Sequence, residues 1–168
     1  FEAMAQQKGL LMSFDLDPKI NTDVLIDPLR FRQILSNLLS NAVKFTDRGQ
    51  VRLSVRANQG DDQERLKVSV LVEDSGVGIG ADDQLRLFRP FAQVNNRQQP
   101  PGGSGLGLMI SRQLCEMMGG ELTLTSTLGK GTQIKLSLEI VTVLSQKPDV
   151  ATSEEPVRHL RPLKILAV

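Results

Sequence analysis

Four short motifs follow one another along this chain, and any fold it adopts must bring them together. They are Asn37-Leu38-Leu39-Ser40-Asn41-Ala42-Val43-Lys44-Phe45, Asp74-Ser75-Gly76-Val77-Gly78, Phe88-Arg89-Pro90-Phe91 and Gly102-Gly103-Ser104-Gly105-Leu106-Gly107-Leu108. A lone glycine run is a weak sign of a phosphate site. In this order and spacing the four describe one nucleotide pocket.

The segments around them alternate between helical and strand periodicity. Residues 1–9 read as the tail of an incoming helix stopped at Gly9. Leu10 to Leu16 and Asp23 to Ile26 read as short strands across the turn Asp17-Pro18-Lys19. Asp27-Pro28 pairs an N-cap acceptor with proline at the first helical position. The helix it starts runs to about Phe45, with Leu35, Leu38, Leu39 and Ala42 as its apolar stripe. Val51 to Val55 and Leu66 to Val72 read as an antiparallel strand pair across Gly60-Asp61-Asp62. Asp82 to Phe88 suits a short helix, and residues 89–104 form a loop too long to be a mere connector. A further helix ends near Met118 at Gly119-Gly120, and Glu121 to Thr125 with Thr132 to Val143 form a hairpin across Leu128-Gly129-Lys130-Gly131. The expected fold is an α/β (α+β) two-layer sandwich: a mixed, largely antiparallel sheet with helices on one face.

At 168 residues the chain is about one domain long. With 20 basic and 19 acidic residues and no block of like charge, neither nucleic acid nor an anionic membrane is a favoured partner. Cys115 is the only cysteine, which excludes an internal disulfide and fits a reducing compartment. No apolar run approaches a membrane span and no signal peptide leads the chain. The chain opens on Phe1 rather than Met, so it is expected to be part of something longer. The core domain is expected over residues 10–143. Residues 144–162, rich in Pro, Ser, Glu and Asp, read as a linker. Residues 163–168, Leu-Lys-Ile-Leu-Ala-Val, suit either an edge strand of the same domain or, preferably, the first strand of another.

The chemistry rests on residue type and spacing. Asn37, Asn41 and Lys44 stand four and three apart and share one helical face. An amide oxygen is a hard ligand suited to Mg²⁺, whose remaining positions go to phosphate oxygens and water, and Lys44 supplies a point charge for the same phosphates. The same spacing also suits a plain solvated face. Asp74, placed at a strand end, can accept from an exocyclic amine such as adenine N6, while Gly76 and Gly78 let a flat base approach. Guanine presents a carbonyl there, so adenine is preferred; the alternative is an ordinary capped turn. Gly103, Gly105 and Gly107 open a helix, where backbone N–H groups converge on phosphate oxygens; taken singly, they also suit a flexible loop. Rossmann and Walker readings fail, because the run does not lie between a first strand and its helix and no Gly-x₄-Gly-Lys-Ser/Thr is present. Between Phe88 and Gly102 lies a candidate lid, with Arg97 able to reach a terminal phosphate or to stay solvated.

Together the motifs resemble the N, G1, F and G2 boxes of sensor histidine kinases, in the ATPase superfamily that also holds gyrase, Hsp90 and MutL. The resemblance covers about residues 10–143 and implies a Bergerat-type (GHKL) fold binding Mg²⁺–ATP. It implies Asn41 as the magnesium ligand, Asn37 beside it in the metal–phosphate region, and Lys44 on the phosphates. Phe45 matches the position that packs on adenine, and Asp74 that which binds its N6, helped through water by Thr132. Gly76, Gly78 and Ile79 belong to the adenine loop, and Phe91 and Arg97 to the lid. Gly103, Gly105, Leu106 and Gly107 would cradle phosphates through their backbone. Arg89 stands where the family often has glutamate.

Gyrase-like relatives carry a water-activating glutamate four residues before the metal asparagine. Asn37 stands there and cannot act as a base, so the resemblance implies phosphoryl transfer in preference to hydrolysis. The only histidine, His159, lacks the family's acidic neighbour. The acceptor histidine is therefore expected on a dimerisation domain preceding Phe1, joined through residues 1–9. A response-regulator receiver domain is expected to begin at residues 163–168, as in a hybrid sensor kinase. The resemblance further implies a cytoplasmic domain, monomeric by itself, from a homodimeric protein anchored in the inner membrane. The other reading of the pocket is a nucleotide-gated binding module or degenerate kinase that transfers nothing.

Overall fold

Asp27 initiates the longest helix by the mechanism its side chain offers. In the computed structural model, which describes residues 1–18, 20, 24–60, 64–88 and 105–142, the Asp27 carboxylate accepts from the backbone N–H groups of Leu29 at 3.0 Å and Arg30 at 3.1 Å. Pro28 fills the first helical position, where a missing N–H costs nothing. The resulting α2 spans Pro28–Phe45. Asp27→Ala should cost about 0.5–2 kcal/mol of stability, the usual loss for an N-cap, and chemical denaturation of the two proteins checks it.

The buried stripe of α2 is Ile34, Leu38, Leu39, Ala42 and Val43. Leu35, expected in it, is only partly buried against the core. Ile34 and Val43 extend the stripe at four-residue spacing from Leu38 and Leu39, so the helix is rotated slightly from the expected seam. Before α2 come α1 (Glu2–Gln7), β1 (Leu11–Leu16) and the two-residue β2 (Val24–Leu25). After it come β3 (Gln50–Gln59), β4 (Arg65–Asp74), α3 (Ala81–Gln84), α4 (Gly107–Met117), β5 (Glu121–Thr127) and β6 (Gly131–Thr142).

The sheet is mixed and largely antiparallel. β1 runs parallel to β3, from Leu11 opposite Gln50 to Leu16 opposite Val55. β3 and β4 pair antiparallel, as do β4 and β6, from Arg65 opposite Val141 to Asp74 opposite Thr132. The far edge of β6 is shared end to end by two strands. β5 pairs with its first half, Thr127 opposite Gly131 to Glu121 opposite Ser137, and β2 with its end, Leu25 opposite Val141.

Alternate residues of these strands form one core with the helices. Val51, Leu53, Val70, Val72, Ile134, Leu136 and Leu138 are buried with Ile34 and Leu38 of α2 and Cys115 of α4. Their strand neighbours Arg52, Glu121, Gln133 and Lys135 are exposed, so helices cover a single face and the expected two-layer architecture holds. Cys115 is fully buried, and burial pushes its thiol up to about 11, which makes it a packing residue and not a reactive one.

The largest departures from the expected boundaries lie in β3, β4 and α3. β3 and β4 are each longer than their apolar runs, because pairing carries polar residues such as Asn58 and Lys67 into the ladder opposite each other. The helix expected over Asp82 to Phe88 is the single turn Ala81–Gln84. Beyond that turn, Leu85 is 80% exposed while Leu87 is buried, so no continuous apolar stripe supports a second turn. Residues 143–168 and the linker and strand expected there lie outside the described residues.

Candidate functional site

The pairing of β4 with β6 decides where the Asp74 side chain works. Asp74 is the last residue of β4 and lies opposite Thr132 near the start of β6. Its Oδ1 accepts from the Gly76 N–H at 2.9 Å. Burial raises its carboxyl above the ordinary value, while backbone hydrogen bonds from Gly76 and Thr132 pull the other way. The result is a half-buried, oriented carboxylate at the mouth of the sheet, the arrangement that selects an exocyclic amine over a carbonyl.

The loop after Asp74 is held close to the end of α2. A Cβ at Gly76 would press on the Phe45 carbonyl oxygen and come within 2.9 Å of Asp74 Oδ1, so only glycine fits where this backbone crosses the helix terminus. Val77 N–H donates to the same Phe45 carbonyl at 3.3 Å. Gly78 has φ +65°. The segment is then tied to the hairpin: Ile79 N–H donates to Ser126 Oγ at 2.8 Å, and Ser126 Oγ donates to the Gly131 carbonyl at 2.8 Å and lies 3.0 Å from Thr132 Oγ1. Gln84 Nε2 donates to the carbonyls of Ile79 at 2.7 Å and Ser126 at 2.9 Å.

Ser126 and Gln84 belong to none of the four motifs. Ser126 did carry a readable sign: on β5 it occupies the inward phase with Leu122 and Leu124. A polar side chain at an inward position must find partners.

The α2 motif faces two ways. Asn37 Nδ2 donates to Ser111 Oγ of α4 at 2.8 Å, and Ser111 is buried. The Asn37 Oδ1 receives Asn41 Nδ2 at 3.5 Å and packs where a Cβ at Gly107 would stand. Asn37 thus joins α2 to the first turn of the glycine-run helix. Asn41 uses only its nitrogen in that bond, leaving its amide oxygen outside it. Lys44 is exposed, its Nζ 5.0 Å from the centroid of the Phe45 ring, and Phe45 as a residue is 36% exposed. A partly exposed aromatic side chain suits a flat apolar ligand.

Gly105 adopts φ +69° directly before α4, and Leu106 and Gly107 form the start of that helix. Phe88 packs against the core with the Arg112 guanidinium 5.1 Å from its ring centroid. Arg89, Phe91, Arg97 and Gly103 lie outside the described residues. Among the described residues no cluster of three or more His, Cys, Asp or Glu could hold a metal. A concavity of about 330 Å³ is lined by Asp74, Ser126 and Thr132 together with Arg52, Glu73 and Gln133. Arg52, Glu73 and Gln133 come from the helix-free face of the sheet, and Asp74 and Thr132 lie where that concavity meets the strand ends.

Comparison with known proteins agrees with this geometry. Residues 26–142 match the family described as "Histidine kinase-, DNA gyrase B-, and HSP90-like ATPase". The virulence sensor protein BvgS of Bordetella bronchiseptica is 42% identical over 174 residues, covering 100% of this chain and 14% of BvgS. The aerobic respiration control sensor protein ArcB of Escherichia coli is 41% identical over 155 residues, covering 90% of this chain and 19% of ArcB. The chain therefore spans less than a fifth of either relative. Among solved structures, full-length ShkA in complex with AMPPNP superposes with a TM-score of 0.68 at 33% identity, over 84% of this chain and 28% of ShkA. The catalytic domain of histidine kinase ThkA gives a TM-score of 0.63 at 25% identity, over 83% of this chain and 86% of ThkA. The chain belongs to the histidine kinase-, DNA gyrase B- and HSP90-like ATPase family, as an ATP-binding kinase domain of the sensor histidine kinase type.

Proposed function

We propose that this domain binds Mg²⁺–ATP and presents the γ-phosphoryl group to a histidine on an adjacent dimerisation domain of the same protein. The observation that carries this is Asn37. Its amide is engaged by Ser111 on one side and Asn41 on the other, and an amide has no proton-accepting function to activate water. A pocket that holds ATP beside such a residue favours transfer to an incoming nucleophile over hydrolysis.

In this reading Asp74 recognises adenine N6 and Phe45 packs on the ring, with Gly76, Gly78, Ile79 and Thr132 shaping that end. Lys44 and the backbone of Gly103, Gly105, Leu106 and Gly107 hold the phosphates, with Phe91 and Arg97 on the lid side. The Asn41 amide oxygen suits a hard cation, and the absence of a carboxylate cluster among the described residues suits one that arrives with its nucleotide. Bound there, Mg²⁺ would neutralise phosphate charge. The protein's own contribution is alignment of the reacting groups and oriented dipoles.

The reading extends to a downstream receiver domain as phosphate acceptor and to a cytoplasmic domain of an inner-membrane-anchored homodimer. It rests on the sensor names of the relatives and on the use of ATP. Among the described residues no helix is long and apolar enough to cross a membrane.

The test supplies a dimerisation domain bearing its histidine and γ-labelled ATP, and compares phosphohistidine formed with inorganic phosphate released. Acid-labile, base-stable label on the supplied domain is expected. Release of phosphate without labelled protein would replace transfer by hydrolysis, and bound ATP with neither product would leave a nucleotide-gated module.

A further inference from the structure

The last turn of α2 carries Lys44 and Phe45, and its backbone carbonyls have no partners within the helix. No left-handed glycine closes this end: the C-cap Thr46 is extended, at φ −109°. The carbonyls are nevertheless served, from three sources. Thr46 Oγ1 donates to the Ala42 carbonyl at 2.7 Å. Val77 of the adenine loop serves the Phe45 carbonyl at 3.3 Å. The rest falls to one side chain outside all four motifs.

Lys8, the residue that caps α1, donates from Nζ to the carbonyls of Val43 at 2.9 Å, Lys44 at 3.1 Å and Thr46 at 2.8 Å. An ammonium has three N–H donors, and all three find an acceptor here. The carboxylate of Asp47 stands 3.5 Å from the same nitrogen. A cation at this end also complements the negative pole of the helix dipole. α1 is itself anchored, with Ala5 and Leu10 in the main core and Gly9 turning the chain at φ +68°.

We infer that Lys8 is a positioning residue for the nucleotide site. It fixes the last turn of α2 in place against the Asp74–Ile79 loop, and it makes that placement depend on where α1 sits. Three carbonyls on one ammonium form a clamp that a displacement of α1 withdraws as a unit. Lys44 and Phe45 then lose their register with Asp74, although none of the three touches Lys8 through its side chain. Position of the incoming helix is thereby converted into nucleotide affinity. The inference rests on the proposed pocket, since Lys44 and Phe45 matter only if ATP or ADP lies against them.

The test uses the full 168-residue chain and labelled ADP in equilibrium dialysis, at a temperature where every variant is folded. Lys8→Met keeps the stem and removes all donors; Lys8→Arg keeps charge and donors. Lys8→Met is expected to weaken ADP by about 2- to 30-fold, the range for residues that modulate a site without touching its ligand, and Lys8→Arg to recover most of it. Amide exchange at residues 43–46 and at Val77 should accelerate in Lys8→Met alone. A lower melting point with unchanged ADP affinity would overturn the inference, making Lys8 a helix cap and nothing more. Failure of the unaltered chain to bind ADP would instead remove the pocket assignment. Should Lys8→Met not fold, Lys8→Gln, with two donors on a shorter stem, carries the same comparison.

Discussion

Asn41→Ala is expected to lower phosphoryl transfer to a supplied histidine domain on the order of 100-fold in Mg²⁺, the scale for removing one preorganised group from a charge-stabilising site. The substitution takes away the amide oxygen assigned to the cation. It leaves intact the helix's buried members, Ile34, Leu38, Leu39, Ala42 and Val43, so no core cavity opens. The only described bond lost is the 3.5 Å contact to Asn37 Oδ1, which is long for a hydrogen bond. The folded fraction should therefore hold while the rate collapses. Single-turnover transfer measured beside thermal unfolding checks both, and a wild-type rate would take Asn41 out of the metal site.

Asp74→Asn should move affinity and stability in opposite directions. Loss of a charge-assisted hydrogen bond to adenine N6 predicts ATP binding weaker by roughly 10- to 150-fold, the equivalent of about 1.5–3 kcal/mol. Stability follows from the raised carboxyl pKa, which burial causes. A folded-state pKa above the unfolded one contributes stability that is present below the unfolded pKa and lost as pH rises through the folded one. At neutral pH the ionised, half-buried Asp74 is therefore a cost to the fold, and asparagine relieves it while keeping an oxygen for the Gly76 N–H. The variant should melt no lower than the parent. In the parent, ATP affinity should fall as pH drops through the raised Asp74 pKa, and the asparagine variant should lack that step. Equal ATP affinity in the two proteins at neutral pH would place Asp74 outside the adenine pocket.

What the sequence disclosed is what local chemistry decides. Asp27-Pro28 starts a helix, Gly9 and Gly119 stop helices at φ +68° and +72°, and Gly129 turns the last hairpin. Each requires only the residue and its immediate neighbours. Gly76 was legible for a related reason: glycine is costly unless a close backbone approach needs it, as here against Phe45.

Long-range pairing was not legible. Nothing in Val24–Leu25 announces that it continues β5 along the edge of β6, and nothing in Leu11–Leu16 announces a parallel partner in β3. The supports of the site escaped for the same reason. Lys8 reaches carbonyls 35 to 38 residues away, and Ser111 meets Asn37 across 74 residues. A lysine or serine of that kind looks like ordinary surface until the fold brings its acceptors together. Asn37 shows what motif reading leaves out: its Nδ2 donates to Ser111 of α4, a partner that no motif contains.

The central claim is an adenine-selective pocket that takes its nucleotide with magnesium. Calorimetric titration of the 168-residue chain with ATP and with GTP, each with and without Mg²⁺, tests it most directly. The account predicts saturable ATP binding that Mg²⁺ strengthens, with GTP binding far more weakly because its carbonyl meets the Asp74 carboxylate. Equal binding of ATP and GTP, or ATP binding indifferent to Mg²⁺, would contradict it.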